Sequence, residues 1–330
     1  MFKKKRKQHG LLPDPEDPRD LRLSELQTEK VELPANFDLR GDLLVSDQNY
    51  GSCQSHATTA IAEYWNTKEY NRQINLSEKF TYYNTKKVSG LWHIQGDYAR
   101  SSLKALQKYG APLLKDYPDD PEGSWDEYIN SAPPQEAYEK AKKYRIKSYW
   151  RVDGDLESIR QAIYQNKCPA AVGTKWYKSY NDVKPNGKLP LPGDKVGGGH
   201  LFVLAGWTDA QSFETGKLWY RNSWSKDYGE GGFFYIPFPE FNKHDFWDIW
   251  VALDEEVPER PKTGWVADSY LKMIKGFNEG DKVTPTYNLN FRDAPWGSKI
   301  GLLKPGEKLE ILGESKKSGN ITWQKVEIKD

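Results

Sequence analysis

The stretch VSDQNYGSCQSHATTAIAEYW, Val45 to Trp65, sets a cysteine at the mouth of a helix. Ala57, Ala60, Ile61, Tyr64 and Trp65 recur at helical spacing after Gly51, and Ser52 stands where an N-cap is expected. A first helical turn offers unpaired N–H groups and the positive end of the helix dipole, both of which favour a thiolate. Cys53 therefore sits where a nucleophile could be activated, while a structural thiol or a small hydrophobe remains the other reading of it at this point. A cysteine nucleophile also needs a base, a group that orients the base, and donors for an oxyanion.

Five histidines compete for the role of base. His9 lies in a polar N-terminal leader, and His93 and His244 lie among polar loop residues. His56, three residues after Cys53 on the same helix, reads as a buried, partly satisfied side chain. His200 follows three glycines and opens the apolar run HLFVLAGW, so its ring sits on a rigid strand with no bulk beside it. Asn222 ends the strand-like LWYRN. Its amide can accept from one ring nitrogen and fix the tautomer, which leaves the other nitrogen for the thiol. Trp224, two positions on, can shield that bond from water. Cys168, before a proline and a strand, reads as a buried thiol.

Around these residues the chain changes texture. Helices are expected over SEKFTYYNTKKV, over DYARSSLKALQKYG with Gly110 as C-cap, over PPQEAYEKAKKY and over DLESIRQAIYQN. From Cys168 on, PAAVGTKW, GHLFVLAGWTD, GKLWYRNSW and GGFFYIPF are short apolar runs between glycines, which are strand signals. Helices in one half and strands in the other predict an α+β fold of two lobes with a cleft between them. The expected organisation is a polar leader over 1–35, the main domain over 36–253, a charged, proline-bearing linker over 254–277 and a small all-β barrel over 278–330.

The totals narrow the function class. The chain of 330 residues carries 48 Lys and Arg against 47 Asp and Glu, so net charge argues for neither nucleic acid nor a membrane surface as partner. With 13 Trp, 20 Tyr and 12 Phe, it is globular with an aromatic core. No apolar run nears the ~20 residues that span a bilayer, and the basic start MFKKKRK has no apolar segment after it, so synthesis is expected to be cytoplasmic. Two cysteines make at most one disulfide, so the fold is not expected to need an oxidising compartment.

Cysteine, histidine and asparagine in this order, in these local sequences, resemble the papain family of cysteine peptidases. DQNYGSCQSHATTAIAE resembles the family's nucleophile helix, GGGHLFVLAGW its histidine strand, and WYRNSWSKDYGEGGFFYI its Asn-Ser-Trp motif. LSEKFTYYN and GDYARSSLKALQKYG match its second helix and the glycine-bearing loop that lines the cleft. The resemblance spans about residues 30–255. It implies a papain-like fold, with a helical lobe and a β-barrel-like lobe. It implies endopeptidase chemistry through a thioester acyl-enzyme, with Cys53, His200 and Asn222 catalytic and Gln48 in the oxyanion hole. Trp224 is then supporting, and Gly96 and Gly199 lie along an extended protein or peptide substrate. Neither a cofactor nor a metal is implied.

A second alignment puts Cys53 on the family's structural cysteine and His56 on the nucleophile, which would make the chain a silent homologue. The family's glutamate ten residues after the nucleophile decides for Cys53: Glu63 stands there, whereas ten after His56 is Asn66. Three departures remain. Gln48 precedes Cys53 by five residues rather than six, so the loop is tighter or Asn49 takes its part. Gln54 stands in place of the family's tryptophan, and Ser225 in place of a glycine.

The leader is far shorter than the family's inhibitory pro-segments. Either the enzyme is active as made, or the leader itself partly covers the cleft. NLNFRDAPWGSKIGLLKPGEKLEILGES in the tail resembles bacterial SH3-like domains, which implies a cell-wall peptide or a protein as ligand. Two further functional readings follow: a cell-wall peptide hydrolase aimed by that tail and released by lysis, and a silent, virion-associated component.

Overall fold

The computed structural model describes residues 9–27, 29–119, 124–254, 263–267, 271–272, 278–285, 289–292, 294–295, 299–303, 306–318 and 321–329. Two compact units divide the chain, the first made of residues 1–16 and 21–256 and the second of 17–20 and 257–330.

In the first unit, β1 (Leu11–Leu12), a single turn α1 (Leu23–Leu26) and β2 (Phe37–Asp38) precede the central helix α2 (Cys53–Tyr70). α2 is buried on every side from Cys53 to Tyr64, because it packs against helices on one flank and the sheet on the other. Ser52 holds the N-cap position, but its hydroxyl makes no capping bond. Its backbone (φ −106°, ψ 19°) is not the extended one a cap needs. α3 (Glu78–Ser89) is capped by Ser77, whose Oγ accepts from the Phe80 amide at 3.1 Å. β3 (Asp97–Tyr98) runs straight into α4 (Ala99–Tyr109), which Gly110 closes at φ +70° as the sequence predicts. α5 (Trp125–Asn130), with a capping box between Ser124 and Glu127, was not expected. α6 (Gln135–Ala141), β4 (Ser148–Arg151) and α7 (Leu156–Gln165) lead to the sheet.

The sheet strands are β5 (Ala170–Tyr177), β6 (Val196–Thr208), β7 (Lys217–Arg221), β8 (Phe233–Pro237) and β9 (Phe246–Leu253). Their order is β4-β9-β5-β6-β7-β8, all antiparallel, with β2 pairing off β6. Trp176, Phe202, Trp207, Tyr220, Phe234 and Trp250 fill its faces, so the aromatic richness of the sequence is spent in this core. Arg221 ties the sheet to the helical lobe: its guanidinium donates to the Leu44 and His56 carbonyls at 2.8 and 3.1 Å and to Ser46 Oγ at 2.8 Å. The first unit has the α+β arrangement expected of the main domain, and it takes in most of the stretch read as leader as well, residues 1–16 and 21–35.

The second unit is one antiparallel sheet of β10 (Thr263–Ala267), β11 (Leu271–Lys272), β12 (Lys282–Pro285), β13 (Leu289–Arg292), β14 (Lys299–Leu303), β15 (Leu309–Ser318) and β16 (Ile321–Ile328). Their order is β11-β12-β15-β16-β10-β13-β14, curled around Val266, Phe291, Leu303, Leu309, Ile311 and Val326. This is in keeping with the small all-β unit expected from the tail. β10 and β11 both fall inside the stretch read as linker: pairing of β10 with β16 and β13 and of β11 with β12, and burial of Trp265, Val266 and Leu271, outweigh the charge and proline around them. No helix among the described residues is long and apolar enough to cross a membrane.

Candidate active site

Cys53 opens α2 and is 0% exposed. Its S–H donates to Gln54 Oε1 at 3.7 Å. Burial pushes the thiol up to about 11, against the backbone amides of Leu201, Gly10, Gln54 and Cys53 itself, which face the sulfur. Since Leu201 follows His200, the sulfur lies beside the strand that carries the predicted base.

His200 and Asn222 meet because of strand register. Val203 on β6 stands opposite Arg221 on β7, so His200 and Asn222 are diagonal neighbours on one face. His200 Nε2 and Asn222 Oδ1 are 2.8 Å apart, and the same oxygen accepts from the Ser223 amide at 2.8 Å. Asn222 Oδ1 is therefore an acceptor, which puts the ring proton on Nε2. Nδ1, on the other side of the ring, is buried and makes no hydrogen bond. Burial, and next the proximity of His9, hold the imidazole down to about 3, with the Asn222 bond pulling the other way. In this state both thiol and imidazole are neutral. Trp224 lies 4.7 Å from the His200 ring centre, and Trp176 on β5 closes the far side at 4.8 Å.

Gln48 is buried beside these residues. Its backbone amide donates to the Ser223 carbonyl at 2.8 Å, its Oε1 accepts from Ser223 Oγ, and its Nε2 donates to the Tyr50 carbonyl at 3.0 Å. The amide thus sits on the segment that bears Asn222. His56, by contrast, turns away from Cys53, with Nδ1 2.8 Å from Ser46 Oγ and 3.4 Å from Glu78 Oε1. Glu63 accepts from the Leu76 amide at 2.8 Å and is a structural residue of α2.

The groove is occupied by the chain's own leader. β1 pairs in parallel with β3, Leu11 opposite Asp97 and Leu12 opposite Tyr98, and the Asp97 amide donates to the Gly10 carbonyl at 2.8 Å. Close backbone approach explains the glycines. A β-carbon on Gly96 (φ +130°) would stand 2.5 Å from the Gly10 oxygen, and one on Gly199 would stand 2.2 Å from the Leu11 oxygen. The Leu11 side chain, 3% exposed, packs over Gly173. The His9 ring lies 5.9 Å from that of His200 and 5.5 Å from that of Trp224. The Gly10 N–H faces the sulfur, while the Gly10 carbonyl is taken by the Asp97 amide. Of the two expectations for the leader, coverage of the cleft is the one the structure takes.

The model of the papain family cysteine proteases matches residues 33–243. This chain belongs to that family. Xylellain, a cysteine protease from Xylella fastidiosa, aligns with a TM-score of 0.66 at 25% identity, over 78% of this chain and 99% of xylellain. An uncharacterized peptidase C1-like protein of Acanthamoeba polyphaga mimivirus is 27% identical over 222 residues, 62% of this chain and 68% of the relative. The bromelain protease of Ananas comosus shares the fold, with a TM-score of 0.50 at 19% identity over 68% of this chain and all of bromelain.

The protein is a cysteine protease of papain type, and some of its groove was not read from sequence. Trp176 looked like one more core aromatic of an apolar strand, and only the register that sets it opposite Gly198 puts it beside His200. The leader's docking carried one signal, an apolar Leu-Leu pair after a glycine in an otherwise polar segment. Both cysteines of the protease are free and buried, and burial raises the Cys168 thiol too. Among the described residues no group of three or more His, Cys, Asp or Glu side chains could hold a metal ion.

Proposed function

We propose that this protease is an endopeptidase whose nucleophile is Cys53, whose base is His200 and whose orienting group is Asn222. The observation that carries the reading is the 2.8 Å contact from Asn222 Oδ1 to His200 Nε2, which leaves Nδ1 as the nitrogen that can take the thiol proton. Proton transfer from Cys53 to Nδ1 gives a thiolate and an imidazolium. The thiolate attacks the substrate carbonyl, and the oxyanion is held by the Cys53 amide and, after it leaves the Tyr50 carbonyl, the Gln48 side-chain amide. His200 then protonates the leaving amine, and water hydrolyses the thioester. Trp224 and Trp176 keep water from the His200–Asn222 bond.

The leader keeps the enzyme latent in this reading. Substrate must displace His9 to Leu12 to lie beside β3, and solvent entering with it lifts the burial that holds both groups neutral. The test is labelling with an epoxide-type thiol inhibitor alongside casein hydrolysis. Modification of Cys53 with loss of hydrolysis is expected. Hydrolysis undiminished in Cys53→Ala would overturn the assignment, and release of peptide from purified cell wall but not from casein would move the substrate to wall peptides.

A further inference from the structure

Gln54 departs from its family, and the structure gives the departure a setting. Its side chain is 0% exposed beside the reacting sulfur. Oε1 accepts the Cys53 S–H at 3.7 Å, while Nε2 makes no hydrogen bond at all. A buried amide donor without an acceptor is rare and unfavourable, and an apolar side chain of similar volume would avoid it. Unlike an indole, which only donates, an amide has an acceptor and a donor that exchange places by a half-turn about its last side-chain bond.

We infer that Gln54 is a positioning residue for the Cys53 sulfur, holding the thiol through Oε1 while the leader fills the groove and the thiolate through Nε2–H once the groove opens. The inference rests on Cys53 being the nucleophile. In the step it serves, the S–H bond breaks, the electron pair stays on sulfur, and the proton forms a bond to His200 Nδ1. The acceptor Oε1 then has nothing to accept, and the turned amide gives the sulfur a charge-assisted bond. The unpaired donor of the closed state is the one used in the open state.

Titratable groups also surround the sulfur and act on its charge. They are His200 on β6, Tyr82 on α3, His9 in the leader and, through its effect on His200, His56 on α2. Burial raises the thiol and lowers the imidazole, so the ion pair depends on donors such as this one.

The test measures the rate at which iodoacetamide alkylates Cys53 against pH in the full-length chain, with the adduct located by mass spectrometry, together with kcat and KM. Gln54→Leu and Gln54→Met, two apolar variants in case one folds poorly, should raise the midpoint of alkylation by about one pH unit. They should lower kcat about tenfold with KM within twofold. Gln54→Glu, which keeps the acceptor and loses the donor, should raise the midpoint further. Midpoints and kcat unchanged in both apolar variants would reduce Gln54 to packing and overturn the inference. A wild-type chain that hydrolyses peptide while Cys53 stays unmodified at every pH would instead overturn the nucleophile assignment beneath it.

Discussion

Leu11 and Gly173 fit each other as plug and floor: a β-carbon on Gly173 would stand only 2.7 Å from Leu11 Cδ2. Leu11 is the leader's apolar anchor in the groove. Truncating a buried leucine typically costs about 2–5 kcal/mol, and an aspartate there adds the desolvation of a charge. Leu11→Asp in the full-length chain is therefore expected to raise kcat/KM on a fluorogenic peptide at least tenfold, by shifting the leader out of the groove. Equal activity in wild type and variant would mean that the leader does not limit access.

Protons act on the leader from two sides. His200 is held down to about 3 in the closed state, so on opening it takes up a proton at any pH between about 3 and its ordinary 6.5. That favours opening as pH falls. Asp14, whose amide donates to Asp248 Oδ2 at 2.6 Å and whose Oδ2 accepts from Trp250, is raised to about 7 by burial and then by Asp248. Released from that site toward its ordinary 3.8, it loses a proton, which favours opening as pH rises. Between pH 4 and 6.5 the two oppose each other, so wild-type opening should be nearly flat. In Asp14→Asn only the His200 contribution remains. The opening constant at the Leu11 and Leu12 amides, obtained by dividing each hydrogen-exchange rate by the intrinsic base-catalysed rate at the same pH, should then rise on acidification from pH 6.5 to 5, by up to about tenfold per unit. A flat profile in Asp14→Asn would refute this account.

What was legible in the sequence was whatever depends on local order. A glycine before a cysteine before a helical run, or an Asn-Ser-Trp after a strand, reads directly, because each motif is built within one element and its turn. The family, the two-lobed fold and the candidate trio were read from such motifs. What was not legible depends on register between distant strands. His9 to Leu12 meet β3 and β6 only in three dimensions, as Trp176 meets His200. Ser52 was read as a cap from its residue type alone, yet its backbone angles preclude one. β10 was read as linker because charge and proline flank it, while its partners lie 25 or more residues further along the chain.

In the proposed mechanism Asn222 orients His200 without touching the scissile bond, so its loss should act on the rate step. Asn222→Ala frees the ring to turn and removes the acceptor that fixes the proton on Nε2. A wrongly set tautomer in a comparable triad lowers kcat by ~10⁴. Here a fall in kcat of at least about 100-fold is expected, with KM within a fewfold of wild type. Steady-state kinetics in the Leu11→Asp background checks it, since there the leader no longer masks the substrate step. A large rise in KM with kcat preserved would show that Asn222 serves binding instead.

Lys86 and Asp97 form a fully buried ion pair, Nζ to Oδ2 at 3.3 Å, directly beneath the Gly96 turn. Lys86 also donates to the carbonyls of Ile94, at 2.7 Å, and Gly96. Asp97 accepts from Ser89 Oγ at 2.7 Å and from the Tyr98 amide at 2.8 Å. Burial lowers the ammonium's pKa and raises the carboxyl's, so each partner resists its own charge and depends on the other. Removing one partner of such a pair typically costs about 3–5 kcal/mol, because the other charge is left buried. Lys86→Met should lose about that much stability in urea denaturation. It should also raise KM, since two carbonyls of the turn that lines the groove lose their donor. Lys86→Met combined with Asp97→Asn should recover a good part of the stability but not the KM, because the carboxamide ends the buried charge without restoring a donor to those carbonyls. If the single variant is as stable as wild type, the pair is not what holds the turn.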